Sequence, residues 1–185
     1  MHTEEGLGFS RVRNFNLDEY IGYNPVHSSS YSSFMWENLF SHINVDPSNV
    51  YIPRGDTPDP GELCHWYGDK IEQSGRIDIQ LLGIGGDGHI GFNEPGSSLG
   101  SRTRKVALDP RTIEDNSRFF ERQEDVPRFA IAMGVGTIVE ADRILLIANG
   151  KKKDGLCTRF IEEPVTSQVT ATALQLHKGR DGDPG

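Results

Sequence analysis

The stretch from Leu81 to Arg104, LLGIGGDGHIGFNEPGSSLGSRTR, constrains this chain more than any other part of it. It places Asp87, His89 and Glu94 within eight residues, on a backbone loosened by Gly83, Gly85, Gly86, Gly88 and Gly91. The preceding IDIQLL is a mostly apolar run of strand length and reads as a buried strand. Glycines let a backbone approach a ligand closely and adopt positive φ. Acids and an imidazole leaving the carboxyl end of a strand are what an α/β active site requires. The residues upstream, Glu62 to Ser74, read as a helix crossing back to that strand, a βαβ-like crossover that implies a parallel sheet.

Length and charge narrow the setting. The 185 residues suffice for one domain with a real core. A net charge of −8 argues against a nucleic-acid groove or an anionic membrane surface as partner. Nothing approaches the roughly 18 consecutive apolar residues of a spanning helix. The start, MHTEEGLGF, lacks the basic and apolar regions of a secretory signal. Cys64 and Cys157 are far apart, so reduced thiols and a cytoplasmic location are expected.

Along the chain, Arg11 to Asn16 is expected as a short strand ending at Leu17-Asp18-Glu19-Tyr20. Its two adjacent acids are open to two readings: caps of the next turn, or a general base projecting from the strand end. SSFMWENLFSHI reads as a helix whose apolar face, Phe34, Leu39 and Phe40 with Met35 or Trp36, packs on the sheet. His27 and His42 read as surface or capping groups. Asp46 to Gly61, with Pro47, Pro53, Pro58 and Pro60, is connection. Downstream, Thr103–Leu108 is extended, and Asp109–Phe120 is a helix with Pro110 in its first turn. Pro127–Met133 and Arg143–Ala148 are strands around a short helix at Gly136–Ala141. A further helix opens at Asn149-Gly150-Lys151-Lys152-Lys153 and runs through Phe160, and the terminal KGRDGDPG should fray.

Two alternative readings of the glycine loop weaken on inspection. GIGGDG fits the dinucleotide pattern G-x-G-x-x-G, with Asp109 about 20 residues on as a ribose acid. That fold needs a helix opening inside the motif, and Gly91, Pro95, Gly96 and Gly100 interrupt one. Asp87-x-His89 could be a metal pair, but the other histidines show no matching ligand spacing. An imidazole beside two carboxylates suits proton transfer near neutral pH.

The run DGHIGFNEPGSSLGSRTR, with FNLDEY upstream and NSRFF and A-x-x-x-G-V-G-T downstream, resembles glucosamine-6-phosphate deaminases. The likeness extends from about Gly6 to about His177, and FNEP separates it from the related 6-phosphogluconolactonases, which share the DGH-type loop. The resemblance implies an open, mostly parallel α/β sheet flanked by helices, a three-layer, Rossmann-like fold in a single domain. It implies aldose–ketose isomerisation with loss of ammonia, glucosamine 6-phosphate and water giving fructose 6-phosphate. No cofactor and no metal are implied, and the partner is a small amino-sugar phosphate, with a homo-oligomer as a further expectation. On the matching positions, Asp18 becomes the base that moves the C2 proton to C1. His89 assists ring opening, with Asp87 and Glu94 orienting it. Arg118 and Lys153 match phosphate-holding positions.

The chain also departs from the family pattern. Family members carry a first strand, a phosphate-binding Gly/Thr/Ser loop and a helix ahead of the GFSRVRNFNLDEY segment, and a further strand and helix beyond LQLH. An incomplete domain with an uncovered sheet face and weak or no activity is therefore expected of the 185 residues alone. Ser98 and Arg104 match the allosteric region of hexameric members, yet Val106 stands where a lysine is expected. Effector activation and a hexamer are accordingly not implied.

Overall fold

Register between two short strands sets the frame on which the glycine loop hangs. In the computed structural model, which describes residues 6–148 and 154–179, β4 (Ile79–Gly83) pairs in parallel with β7 (Arg143–Ile147). On one face, Leu82 packs with Ile90, Met133, Ile138 and Ala171 in the larger core cluster. The opposite face differs from the sequence expectation of a fully buried strand. Ile79, Leu81, Leu145 and Ile147 are 54–62% exposed. Strand alternation sends them outward together, and no described element lies over them. A parallel sheet normally carries cover on both faces.

Against the covered face lies α2 (Pro60–Gln73). It begins two residues before the expected Glu62 because Asp59 caps it, accepting from Gly61 N at 2.9 Å and Glu62 N at 3.0 Å, with Pro60 next. It ends at Ser74 and Gly75, whose φ of +95° only glycine adopts easily. Cys64, Tyr67 and Ile71 recur at helical spacing and are buried. The Tyr67 hydroxyl reaches the carbonyls of Asn16 at 2.7 Å and Tyr51 at 3.1 Å. That ties α2 to β1 (Asn14–Phe15) and β3 (Val50–Tyr51), themselves a parallel pair joined through α1 (Tyr31–Asn38).

The α/β class and the parallel pairs follow expectation, but the strands do not form one continuous sheet. β2 (Asp18–Tyr20), β6 (Phe129–Ala132) and β5 (Arg104–Ala107) make an antiparallel sheet in the order β2-β6-β5. Helix α1 also differs. Phe34, Trp36 and Leu39 are exposed, and Ser32 is the residue it buries. The cause lies at its start, where Ser30, Tyr31 and Ser32 all donate to the carboxylate of Glu19 and dock the first turn through polar groups. The remaining helices are α3 (Pro110–Asn116), capped by Asp109, α4 (Val135–Val139) and α5 (Asp154–Glu162). TATALQL forms a 3₁₀ helix at Thr170–Leu176. No described helix is long and apolar enough to cross a membrane.

One close approach is diagnostic of packing between β6 and the segment leading to β5. A Cβ on Gly134 would overlap the backbone of Ser101, and one on Gly136 would meet Gly100. Backbone cannot swing aside as a flexible side chain can. Gly134→Ala should therefore cost about 1–3 kcal/mol, read as a lowered denaturation midpoint at unchanged slope. Gly68→Ala, with open space at its Cβ in the middle of α2, should leave the midpoint equal or raise it.

Candidate active site

The chain leaves β4 at its carboxyl end and turns at once. Gly85 N donates to His89 O at 2.8 Å and Gly88 N to Gly85 O at 3.2 Å, closing a tight loop. Gly88 sits at φ +90°, and a side chain on Gly85 would occupy the space of the His89 ring. This is why the sequence spends so many glycines here.

The loop assembles its three functional groups at one point. Asp87 Oδ1 accepts from His89 N at 3.0 Å and lies 2.7 Å from His89 Nδ1. Glu94 Oε2 stands 3.6 Å from the same nitrogen. The three side chains are 13–19% exposed, shielded but reachable. Both carboxylates lie on the Nδ1 side of the imidazole, Asp87 at ion-pair distance and Glu94 farther off. One ligand atom from each residue lies within 4.8 Å of the others, so the donor set could also hold a divalent cation.

Asp18 comes to the same loop from β2. A Cβ on Gly91 would lie 3.3 Å from Asp18 Oδ2, and Phe92 N donates to its carboxylate. Gly91 lies between His89 and Glu94, at φ +53°. The aspartate and the histidine loop therefore share one end of the fold. Burial, with a smaller contribution from Glu19, pushes the Asp18 carboxyl up to about 7, against the opposing Phe92 bond. The two adjacent acids take different places, and Glu19 fits the capping reading. Asp18 faces the loop, and Glu19 caps the first turn of α1.

Asn93, the polar residue of FNEP that sequence reasoning gave no role, holds the loop down. It is fully buried, and its Nδ2 donates to Ile90 O and Met133 O, both at 2.9 Å. Arg104 Nη1 donates to its Oδ1 at 2.9 Å, while Nη2 reaches Ser97 Oγ at 3.1 Å. Arg104 is therefore a clamp on the loop, with Ser97 as its serine partner. Ser98 is exposed, its carbonyl accepting from Ser101 N. Thr170 Oγ1 donates to Asn93 O at 2.9 Å. No sequence signal marked Thr170, whose contact spans 77 residues.

The phosphate candidates are less gathered. Arg118 is exposed on a single 3₁₀ turn, its guanidinium 4.7 Å over the Phe119 ring. Its segment borders the loop, since a Cβ on Gly86 would stand 3.8 Å from Asp115 Oδ2. Lys153 lies outside the described residues. A cavity of about 700 Å³ opens elsewhere, beside Ile77 and Asp142 at the amino ends of β4 and β7.

Residues 1–181 match the family model described as glucosamine-6-phosphate isomerases/6-phosphogluconolactonase. A solved structure, described as a monomeric glucosamine-6-phosphate deaminase, superposes with a TM-score of 0.94 at 40% identity, over 96% of this chain and 74% of that one. The chain belongs to the glucosamine-6-phosphate deaminase family. A glucosamine-6-phosphate deaminase of Shewanella woodyi is 48% identical over 172 residues, 93% of this chain. The chain spans 65% of the length of that relative. The 6-phosphogluconolactonase of Trypanosoma cruzi superposes at TM-score 0.69 with 20% identity over 91% of this chain and 67% of that one, which shows a shared fold alone. The stretch from Leu81 to Arg104 is the part that reasoning from residue types singled out, while Asp18 was singled out by the resemblance.

The raised Asp18 carboxyl makes a stability prediction independent of turnover. Its folded value of about 7 exceeds the unfolded 3.8, so its contribution is full below pH 4 and lost as pH rises through 7. Asp18→Asn removes that dependence. The melting temperature of the variant should gain on the parent between pH 4 and 7, and the gain should level off above. A constant difference across that range would contradict the burial argument.

Proposed function

We propose that the chain carries the catalytic apparatus for isomerising and deaminating glucosamine 6-phosphate to fructose 6-phosphate and ammonia. The observation that carries this reading is the carboxylate of Asp18 lying against Gly91, in the loop that bears His89 and Glu94. His89, flanked on its Nδ1 side by Asp87 and Glu94, moves a proton between the anomeric hydroxyl and the ring oxygen as the pyranose opens. Asp18 then takes the C2 proton and returns it to C1 of the enolamine, moving one proton across one face of the sugar. Water adds at C2 of the resulting imine, ammonia leaves, and the ketose remains. A carboxyl that titrates near 7 suits both halves of such a shuttle.

Arg118, with no carboxylate partner among the described residues, is the cation assigned to the phosphate. The same reading gives the protein a cytoplasmic role in amino-sugar catabolism.

The test is coupled detection of ammonia and fructose 6-phosphate from glucosamine 6-phosphate. Asp18→Asn should lower kcat by about 10²–10⁴, and kcat/KM should fall on the acid side of about pH 7. Arg118→Ala should raise KM about tenfold with little change in kcat, as lost uniform binding does. Hydrolysis of 6-phosphogluconolactone without ammonia release, or full turnover by Asp18→Asn, would overturn the proposal.

A further inference from the structure

Glu19 is the most thoroughly buried carboxylate among the described residues, at 1% exposure. Consecutive residues of a strand face opposite ways, so it points away from the loop that Asp18 meets. Four donors converge on it. Tyr20 N at 2.9 Å and Tyr31 N at 3.0 Å reach Oε1, while Ser30 Oγ at 2.9 Å and Ser32 N at 3.0 Å reach Oε2. The Ser30 hydroxyl proton is committed to Glu19, since Ser30 Oγ itself accepts from Ser33 N. Every partner donates, an arrangement suited to an acceptor-only carboxylate. Three of the donors belong to the start of α1, where the helix dipole favours negative charge.

The phenols around Asp18 carry no charge of their own at neutral pH. Tyr20 on β2, Tyr31 on α1 and Tyr67 on α2 all feel the Asp18 carboxylate, and burial holds each phenol above its ordinary range. From the loop, the Phe92 N–H reaches the carboxylate itself, and Asp87, His89 and Glu94 stand at the same end of the fold. Glu19 is the charge on the strand of Asp18 itself.

We propose that Glu19 is a positioning residue that adds to burial in favouring the protonated form of Asp18, its clamped carboxylate standing one residue away on the same strand. The clamp does two things at once. It locks β2 to the start of α1, so Asp18 cannot drift from Gly91, and it holds the charge where water cannot screen it. The functional part of this inference rests on Asp18 being the proton shuttle, but its physical part does not.

The experiment titrates Asp18 directly, by NMR of the protein carrying ¹³C-carboxyl aspartate, with the resonance assigned by its loss in Asp18→Asn. Sucrose in the buffer keeps weakened variants folded. Glu19→Gln should lower the Asp18 midpoint by about one pH unit, as loss of a nearby like charge does. Glu19→Asp keeps the charge, and Ser30→Ala removes one donor without touching it. Both should leave the midpoint within a few tenths of the parent, even where they lower the melting temperature. An unchanged midpoint in Glu19→Gln, or an equal shift in Glu19→Asp, would overturn the proposal and leave Glu19 a purely structural cap. The titration needs no turnover, so a failed deaminase assay would leave this result readable. Where turnover is present, the acid side of kcat/KM should move with the midpoint.

Discussion

A single buried amide keeps the site from coming apart. Asn93 has no contact with water, yet its side chain joins the glycine loop to the end of β6 through Met133 O and to Arg104 on β5. An unsatisfied amide at such a depth costs free energy, so each partner is under pressure to stay in place. The loop has glycine freedom at Gly85, Gly88 and Gly91, and little intrinsic preference for one shape. Asn93 supplies the preference. Through it, Glu94 is fixed one residue away, and Thr170 draws the last described helix onto the same point.

The two carboxylates of β2 illustrate how one short strand serves two ends. Alternation separates them by face, and their surroundings then separate them chemically. Asp18 meets aromatic residues and one amide, so charge on it is disfavoured. Glu19 meets four donors. A substitution at either position therefore acts through different physics. At Asp18 the lost group is the carboxyl facing the loop, whereas at Glu19 it is the anchor of α1.

What could be read from the sequence follows the range of the interactions. The glycine loop, its acids and its histidine were legible because their geometry is set within eight residues, as was the body of α2, though its Asp59-Pro60 start reads as connection. Pairing of strands was not legible, since β2 meets β6 across more than a hundred residues and nothing local in DEY states a partner. The orientation of α1 was misread for a related reason. Its apolar residues suggested an inward face, but a polar anchor on another element decided which side turned in. The bonds of Arg104 to Asn93 and Ser97 were not legible either, since they depend on side-chain direction.

The exposed face of the β4–β7 pair bears on the site through the same strands. Ile79, Leu81, Leu145 and Ile147 lie on the side opposite Leu82, and Leu82 belongs to the cluster that carries Ile90 and Met133. Ile90 and Met133 are in turn the backbone acceptors for Asn93. Packing under the loop is thus supported from one side of a two-stranded sheet. The loop cluster and Asp18 therefore rest on different strand pairs, joined directly by the Phe92 N–H and through Asn93 and Met133.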